Sequence, residues 1–154
     1  DILKIQEYEI VEHEQGLIPM SDFPFENYSA GNYIRIGTGG GWVKPSTGYS
    51  FKNCERNSRK LIANIKLNKQ PNDGLIKMKF RIYDILFLDV LYRQNYRGPE
   101  LFNIMYTKIS VQTIFAFLDD QTNFKQDLSI MFRFPWTPFL FSVVKKISHI
   151  WNKS

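Results

Sequence analysis

Apolar and polar positions follow two different periods along this chain, and the change falls near residue 37. Tyr8-Glu9-Ile10-Val11-Glu12-His13-Glu14 alternates loosely with a period of two, which predicts a strand, and Gln15-Gly16 breaks it. Leu17-Ile18-Pro19-Met20 resumes as a short apolar piece. Pro19 has no backbone N–H to give to a ladder, so it confines this piece to a sheet edge or a strand end. Residues 21–32, with Pro24, Asn27 and Gly31, predict a surface loop. Tyr33-Ile34-Arg35-Ile36 alternates again and predicts a second strand that runs into Gly37.

Beyond the glycines the spacing becomes helical. Residues 46 to about 66 predict one helix, with Tyr49, Leu61, Ile62 and Ile65 as apolar positions and Lys52, Arg56, Arg59 and Lys60 as a solvated basic face. Residues 68–74, holding Pro71 and Asp73-Gly74, predict a loop. Residues 78 to about 95 predict a core helix in which Arg81/Asp84 and Asp89/Arg93 stand at pairing spacing. The charges at 81, 84 and 89 exclude a membrane span there. Gly98-Pro99-Glu100 opens a helix over 101 to about 109, and 111–118 continues helically. Asp119-Asp120-Gln121-Thr122 then breaks the chain, and Thr122 or Asn123 caps a helix over 124–132. The last segment, 139–151, follows Pro135 and Pro138 and is apolar on one side, with Lys145 and Lys146 towards the other. Such a helix either covers the core or lies in a membrane interface.

Composition narrows the function classes. The net charge of +5 and pI near 9.3 suit an anionic partner, nucleic acid or a lipid surface. No RNP-type motif, zinc-ligand spacing or arginine cluster supports nucleic acid, so no nucleic-acid partner is expected. The single cysteine, Cys54, excludes an internal disulfide and suits a reducing compartment, and two histidines do not make a zinc site, so no metal is expected. The 154 residues suffice for one domain with a real core, and a start at Asp1 inside an apolar pattern reads as a fragment of a longer protein.

The chemistry-bearing stretch is Ile36-Gly37-Thr38-Gly39-Gly40-Gly41-Trp42-Val43-Lys44-Pro45-Ser46-Thr47-Gly48-Tyr49. It reads as a strand end, a glycine turn and a helix start with Pro45 in its first turn and Ser46 or Thr47 as cap. A glycine loop feeding a helix start offers backbone donors and partial positive charge to an anion. It fits neither G-x-G-x-x-G, because position 42 is Trp, nor G-x-x-x-x-G-K-[ST], because Lys44 is followed by proline. On glycine count alone, a tight turn and a ligand loop both stand.

The full string resembles the C-terminal flavin motif of the lycopene cyclases, FAD-binding proteins related to the aromatic-ring hydroxylases and geranylgeranyl reductases. In that motif a strand runs into G-x-x-G-G, followed by Pro-x-T-G-Y and a helix. Gly37, Thr38, Gly40, Gly41, Pro45, Ser46, Thr47, Gly48 and Tyr49 match it, with Gly39 inside the loop. Many related flavoproteins carry Gly-Asp at the strand end, whereas Gly37-Thr38 stands here and removes a carboxylate that could hold ribitol or ribose hydroxyls. Glu14-Gln15-Gly16-Leu17-Ile18-Pro19-Met20 is similar to the Glu-x-Gly-x-Ile-Pro-Met segment of the same family. Tyr83-Asp84-x-Leu86-Phe87-Leu88-Asp89 and Phe117-Leu118-Asp119 look like the C-terminal helical region of its flavobacterial-type members. Phe117-Leu118-Asp119-Asp120-Gln121-Thr122 superficially resembles the family's Phe-Leu-Glu-Glu-Thr motif. It stands downstream of the glycine loop instead of upstream, and reads better as a helix–turn–helix junction.

The resemblance implies an α/β fold: the C-terminal portion of an FAD/NAD(P)-binding, Rossmann-like flavoprotein, with a few strands followed by a mainly helical cap. Residues 1–67 would complete the FAD and substrate domain, and 68–154 would form the helical region. It implies acid-catalysed, non-redox cyclisation of lycopene ends to ionone rings, with reduced FAD held by Gly37, Thr38, Gly39, Gly40, Gly41, Pro45, Ser46, Thr47 and Gly48. Glu14 would be the acidic group near the reacting end, although a cluster such as Glu12, His13 and Glu14 is ordinarily a solvated strand end. The implied partners are lycopene, a membrane surface and the N-terminal remainder of the enzyme, at the cytoplasmic side of the inner membrane. A related FAD-dependent polyprenyl or carotenoid oxidoreductase is the alternative, and a basic interaction domain leaves the glycine string unexplained.

Overall fold

The structure, a computed structural model, describes residues 7–17, 19–29 and 33–151. Its regular elements are six α-helices: α1 (Phe51–Lys66), α2 (Met78–Arg93), α3 (Gly98–Lys108), α4 (Val111–Leu118), α5 (Phe124–Met131) and α6 (Trp136–Trp151). Short 3-10 turns stand at Phe25–Tyr28, Gly37–Gly40 and Asn95–Arg97.

The described residues contain no β-strand, so the α/β, Rossmann-like expectation is corrected to a helical fold. The physical reason is visible in the exposures. Residues 7–17 are exposed throughout, with Tyr8, Ile10, Val11 and Leu17 between 69% and 100% accessible. Tyr33 and Ile36 are also exposed, and the Arg35 amide donates to Ser29 Oγ (3.0 Å) instead of to a ladder. Alternation predicts a strand only where a neighbouring strand takes the backbone groups and a core takes the apolar face. Nothing among the described residues supplies either.

The helical readings fared better, with corrections at the starts. Helix α1 begins at Phe51, not at Ser46. Pro45, Ser46 and Thr47 instead form a tight turn, closed by Lys44 N–H to Tyr49 O (2.7 Å) and Gly48 N–H to Lys44 O (2.9 Å). Gly48 sits at φ 73°, a left-handed value that ends any helix started at 46. Helix α1 also turns an unexpected face inward: Asn53, Asn57 and Asn64 are buried while Ile62 and Ile65 are half exposed. The Asn64 amide donates to the carbonyls of Pro71 (3.1 Å) and Asp73 (2.9 Å) and so closes the following loop. Asn123, not Thr122, caps α5 through a reciprocal capping box with Gln126. Helix α6 begins at Trp136 with Pro138 inside its first turn, where a missing N–H costs nothing.

The core sits between α2, α3, α4 and α6. Val90 and Leu101 are fully buried, each contributing about 1.5–3 kcal/mol, and Phe87, Phe102, Phe134 and Phe139 pack around them. Met105, Ile114 and Leu118 extend this core towards Tyr49. Helix α2 is tied to α6 by a polar clasp. Ser142, fully buried, donates to Asp89 Oδ2 (2.6 Å), and Arg93 pairs with the same carboxylate (2.9 Å), as the i,i+4 spacing anticipates. Burial alone would raise the Asp89 pKa, but the Ser142 hydroxyl and then Arg93 outweigh it and hold the carboxyl below its usual range. A depressed carboxyl stabilises the fold above its unfolded pKa, near 3.9, and that contribution is lost as pH falls through the folded value. Asp89→Asn should therefore flatten the dependence of unfolding free energy on pH between pH 2 and 5. An unchanged slope in urea titrations would refute the clasp. No described helix is long and apolar enough to cross a membrane.

Candidate functional site

The glycine segment folds as a compact hook against the helices. Gly40 and Gly41 amides donate back to Ile36 O and Thr38 O (both 3.1 Å), and the Trp42 amide to Gly37 O (3.0 Å). Gly40 is obligatory for packing: a Cβ there would stand 2.3 Å from the Arg35 carbonyl oxygen. Gly39 differs, having no positive φ and no heavy atom within 4 Å of where a Cβ would stand. The Gly37–Gly39 edge of the hook is therefore its open side.

After the hook, Trp42, Lys44 and Ser46 turn inward and alternate residues stay half exposed. Lys44 is the anchor. Its Nζ reaches Asp84 Oδ2 on α2 (3.1 Å) and Asp120 Oδ1 in the α4–α5 turn (2.9 Å), with its side chain 1% exposed. It also lies over the faces of Phe117 (4.9 Å) and Phe80 (5.4 Å). Ser46 donates a very short hydrogen bond to the second oxygen of Asp84. Arg56 of α1 reaches Asp120 Oδ2 (3.5 Å), and Tyr49 donates its hydroxyl to Asp119 Oδ1 (2.8 Å). Burial pushes the Asp84 carboxyl above the usual carboxylate range, and Lys44 and Ser46 offset only part of that. The expected Arg81/Asp84 pair does not form. Arg81 turns to Glu26 (3.2 Å) because Asp84 faces the opposite way, into Lys44.

Below this clamp, Ser46 and Thr47 form one wall of an apolar cavity of about 80 Å³ between α2, α3, α5 and the start of α6. Tyr83 and Asp127 meet at its edge: the tyrosine hydroxyl donates to Asp127 Oδ2 (3.2 Å), which also accepts from Lys79 (2.7 Å). Burial, then the charge of Asp127, pushes the Tyr83 phenol up to about 12, so it stays a neutral donor.

The sequence-predicted residues thus divide. Gly37, Thr38 and Gly39 stand on the open edge, Gly40 and Gly41 shape the hook, Ser46 bonds to Asp84 of α2, and Pro45, Thr47 and Gly48 form the turn that carries it. Glu14 lies in the exposed segment 7–17, makes no ion pair with any described residue, and is not brought to the hook. Sequence reasoning missed Lys44, Asp84, Asp120 and Arg56 as a unit. The available signal was a lone lysine beside the Pro-Ser-Thr-Gly turn and two aspartates at a helix junction. Among the described residues no group of His, Cys, Asp and Glu could hold a metal ion.

Comparison with protein families places residues 1–143 in the family described as lycopene cyclase protein. The match covers most of the chain, which therefore belongs to the lycopene cyclase family, enzymes that cyclise lycopene. No curated protein and no solved structure matches it.

Proposed function

We propose that this chain is the C-terminal part of a flavin-dependent lycopene β-cyclase, which closes the linear ends of lycopene into ionone rings without net electron transfer. The family match over residues 1–143 carries the reading, and the hook's geometry supports its flavin component. The residues present suit a flavin on two counts. Space over Gly37 and Gly39 is open to the backbone, and Gly39 has no internal reason to be glycine. Glu26 Oε2, buried close to Gly41, accepts no hydrogen bond, which leaves a carboxylate oxygen for a hydroxyl donor. Gly37, Thr38 and Gly39 would hold the cofactor, with Glu26 at the far side of the hook. When bound, reduced FAD supplies an electron-rich ring that steadies positive charge at the cyclising end.

The chain's own residues provide position and protons. Lys44, Ser46 and Asp84 fix the hook to α2, so the open edge keeps its place relative to the aromatic cavity. Glu14 delivers the proton to the terminal double bond once the remainder of the enzyme covers the 7–17 segment. A carboxyl desolvated among aromatics keeps its proton near neutral pH. Helix α6 presents Trp136, Leu140 and Val144 to solvent, one apolar row at spacing four, and Lys145 lies beside it. That row rests on the cytoplasmic face of the inner membrane, from which a water-insoluble polyene must be drawn.

The test is expression of the complete gene product in cells that accumulate lycopene, with pigments separated by chromatography. Conversion to γ- or β-carotene is expected, with at least a roughly tenfold fall on Glu14→Gln. Gly39→Ala, whose Cβ meets nothing within 4 Å, should lower flavin content while the protein stays folded. Unchanged lycopene in the presence of well-expressed, flavin-loaded protein would overturn the cyclase reading.

A further inference from the structure

The aromatic cavity has a chemistry of its own. Five rings border it: Tyr83, Phe87, Phe117, Phe134 and Phe139. They brace one another, with Tyr83 stacked on Phe117 (6.3 Å) and Phe87 edge-on to Phe134 (6.1 Å) and 6.0 Å from Phe139. Protein interiors ordinarily close such gaps, so a void framed by rings that hold each other apart is a preformed receptacle. Its volume of about 80 Å³ admits roughly five to eight water-sized groups.

The carboxylates at its margin are already committed. Asp84 is engaged by Lys44 and Ser46, and Asp127 by Lys79, Thr122 and Tyr83. A polar ligand would lose its hydration and find at most the Thr47 hydroxyl, which already accepts from the Tyr49 amide (3.3 Å), whereas a hydrocarbon loses nothing. A space of about 80 Å³ matches a methyl-branched end and is far too small for the length of a long conjugated chain. The Ser46–Thr47 wall comes from the turn that follows the glycine hook in the chain.

We propose that this cavity is the end-group subsite, which receives the branched terminal isoprene unit of the polyene; the proposal rests on the lycopene reading given above. Ile130 and Leu86, which line it without joining the clamp or the ring lattice, set how large an end it admits.

The experiment uses the complete gene product and two end-group mimics, acyclic pseudoionone and cyclic β-ionone, in calorimetric titration. Saturable binding of at least one mimic is expected. Ile130→Phe, which fills the space, should weaken it by roughly tenfold, while Phe132→Ala on the exposed surface should leave it unchanged. Leu86→Phe serves as a second filling variant, with thermal midpoints recorded for both. On the wild-type protein, a diazirine derivative of pseudoionone should label the peptides that line the cavity, those spanning 83–87 and 124–139. Absence of saturable binding, equal affinity in a folded filled variant, or labelling confined to other peptides would each overturn the subsite. Binding is read without turnover, so a protein that binds the mimics in this cavity yet leaves lycopene unchanged would overturn the cyclase reading alone.

Discussion

Lys44→Met will destabilise the protein by about 3–5 kcal/mol at neutral pH, the usual consequence of removing one partner from a buried ion pair. Two carboxylates depend on that ammonium. Asp120 retains Arg56 at 3.5 Å, but Asp84 is left with only the Ser46 hydroxyl inside a buried site. The pH dependence gives the effect a signature. The Asp84 carboxyl already titrates above the normal range because of burial, and loss of Lys44 pushes it higher. For an acid whose folded pKa exceeds its unfolded pKa, stability is fullest below the unfolded value, near 3.9, and falls as pH rises towards the folded value. The deficit of Lys44→Met should therefore shrink on acidification from pH 7 to 5. Adding Asp84→Asn should restore much of the loss at pH 7. Urea unfolding of the two variants decides the matter: a single mutant within about 1 kcal/mol of wild type, or a double mutant no better than the single, would mean that the clamp is not formed.

Gly40→Ala carries the second large effect. The added methyl would stand 2.3 Å from the Arg35 carbonyl oxygen and 2.8 Å from its carbon. Both are backbone atoms, so no side chain can swing away, and the hook from Ile36 to Trp42 must open. A loss of about 3 kcal/mol is expected, in the range reserved for strain at a special backbone position. Gly39→Ala, one residue earlier, meets nothing within 4 Å and should change stability by no more than about 0.5 kcal/mol. Chemical denaturation of this pair separates packing from ligand approach. Equal, small effects would show that the hook is not packed as described. A flavin deficit in Gly39→Ala without a stability deficit would mark the open edge as the contact surface.

The difference between these neighbours was not legible in the sequence, where Gly39, Gly40 and Gly41 read alike. Nor did the sequence distinguish the helix-pair partners of α2. Asp89/Arg93 and Arg81/Asp84 have equally good spacing, yet only the first pair forms, because Asp84 faces Lys44 from forty residues upstream. Spacing along a helix says which side chains are neighbours; it does not say what else competes for them. The Phe117–Thr122 segment was correctly legible as a helix junction, with Asp120 at φ 55° making the turn and Asn123 beginning α5.

By itself the sequence determined the local, short-range features: the extents of α2, α4 and α5 to within a residue or two, the loop after α1, the break at Asp119–Thr122, and a glycine string distinctive enough to point to the lycopene cyclase family. These depend on periodicity, caps and turn residues, which act over a few positions. Tertiary structure alone decided three things. It formed no strand from the two alternating segments among the described residues, turned the asparagine face of α1 inward, and joined Lys44, Asp84 and Asp120 beside an aromatic cavity. Each of these depends on which distant segment supplies a ladder, a carboxylate or a ring, and a one-dimensional pattern carries no record of that choice.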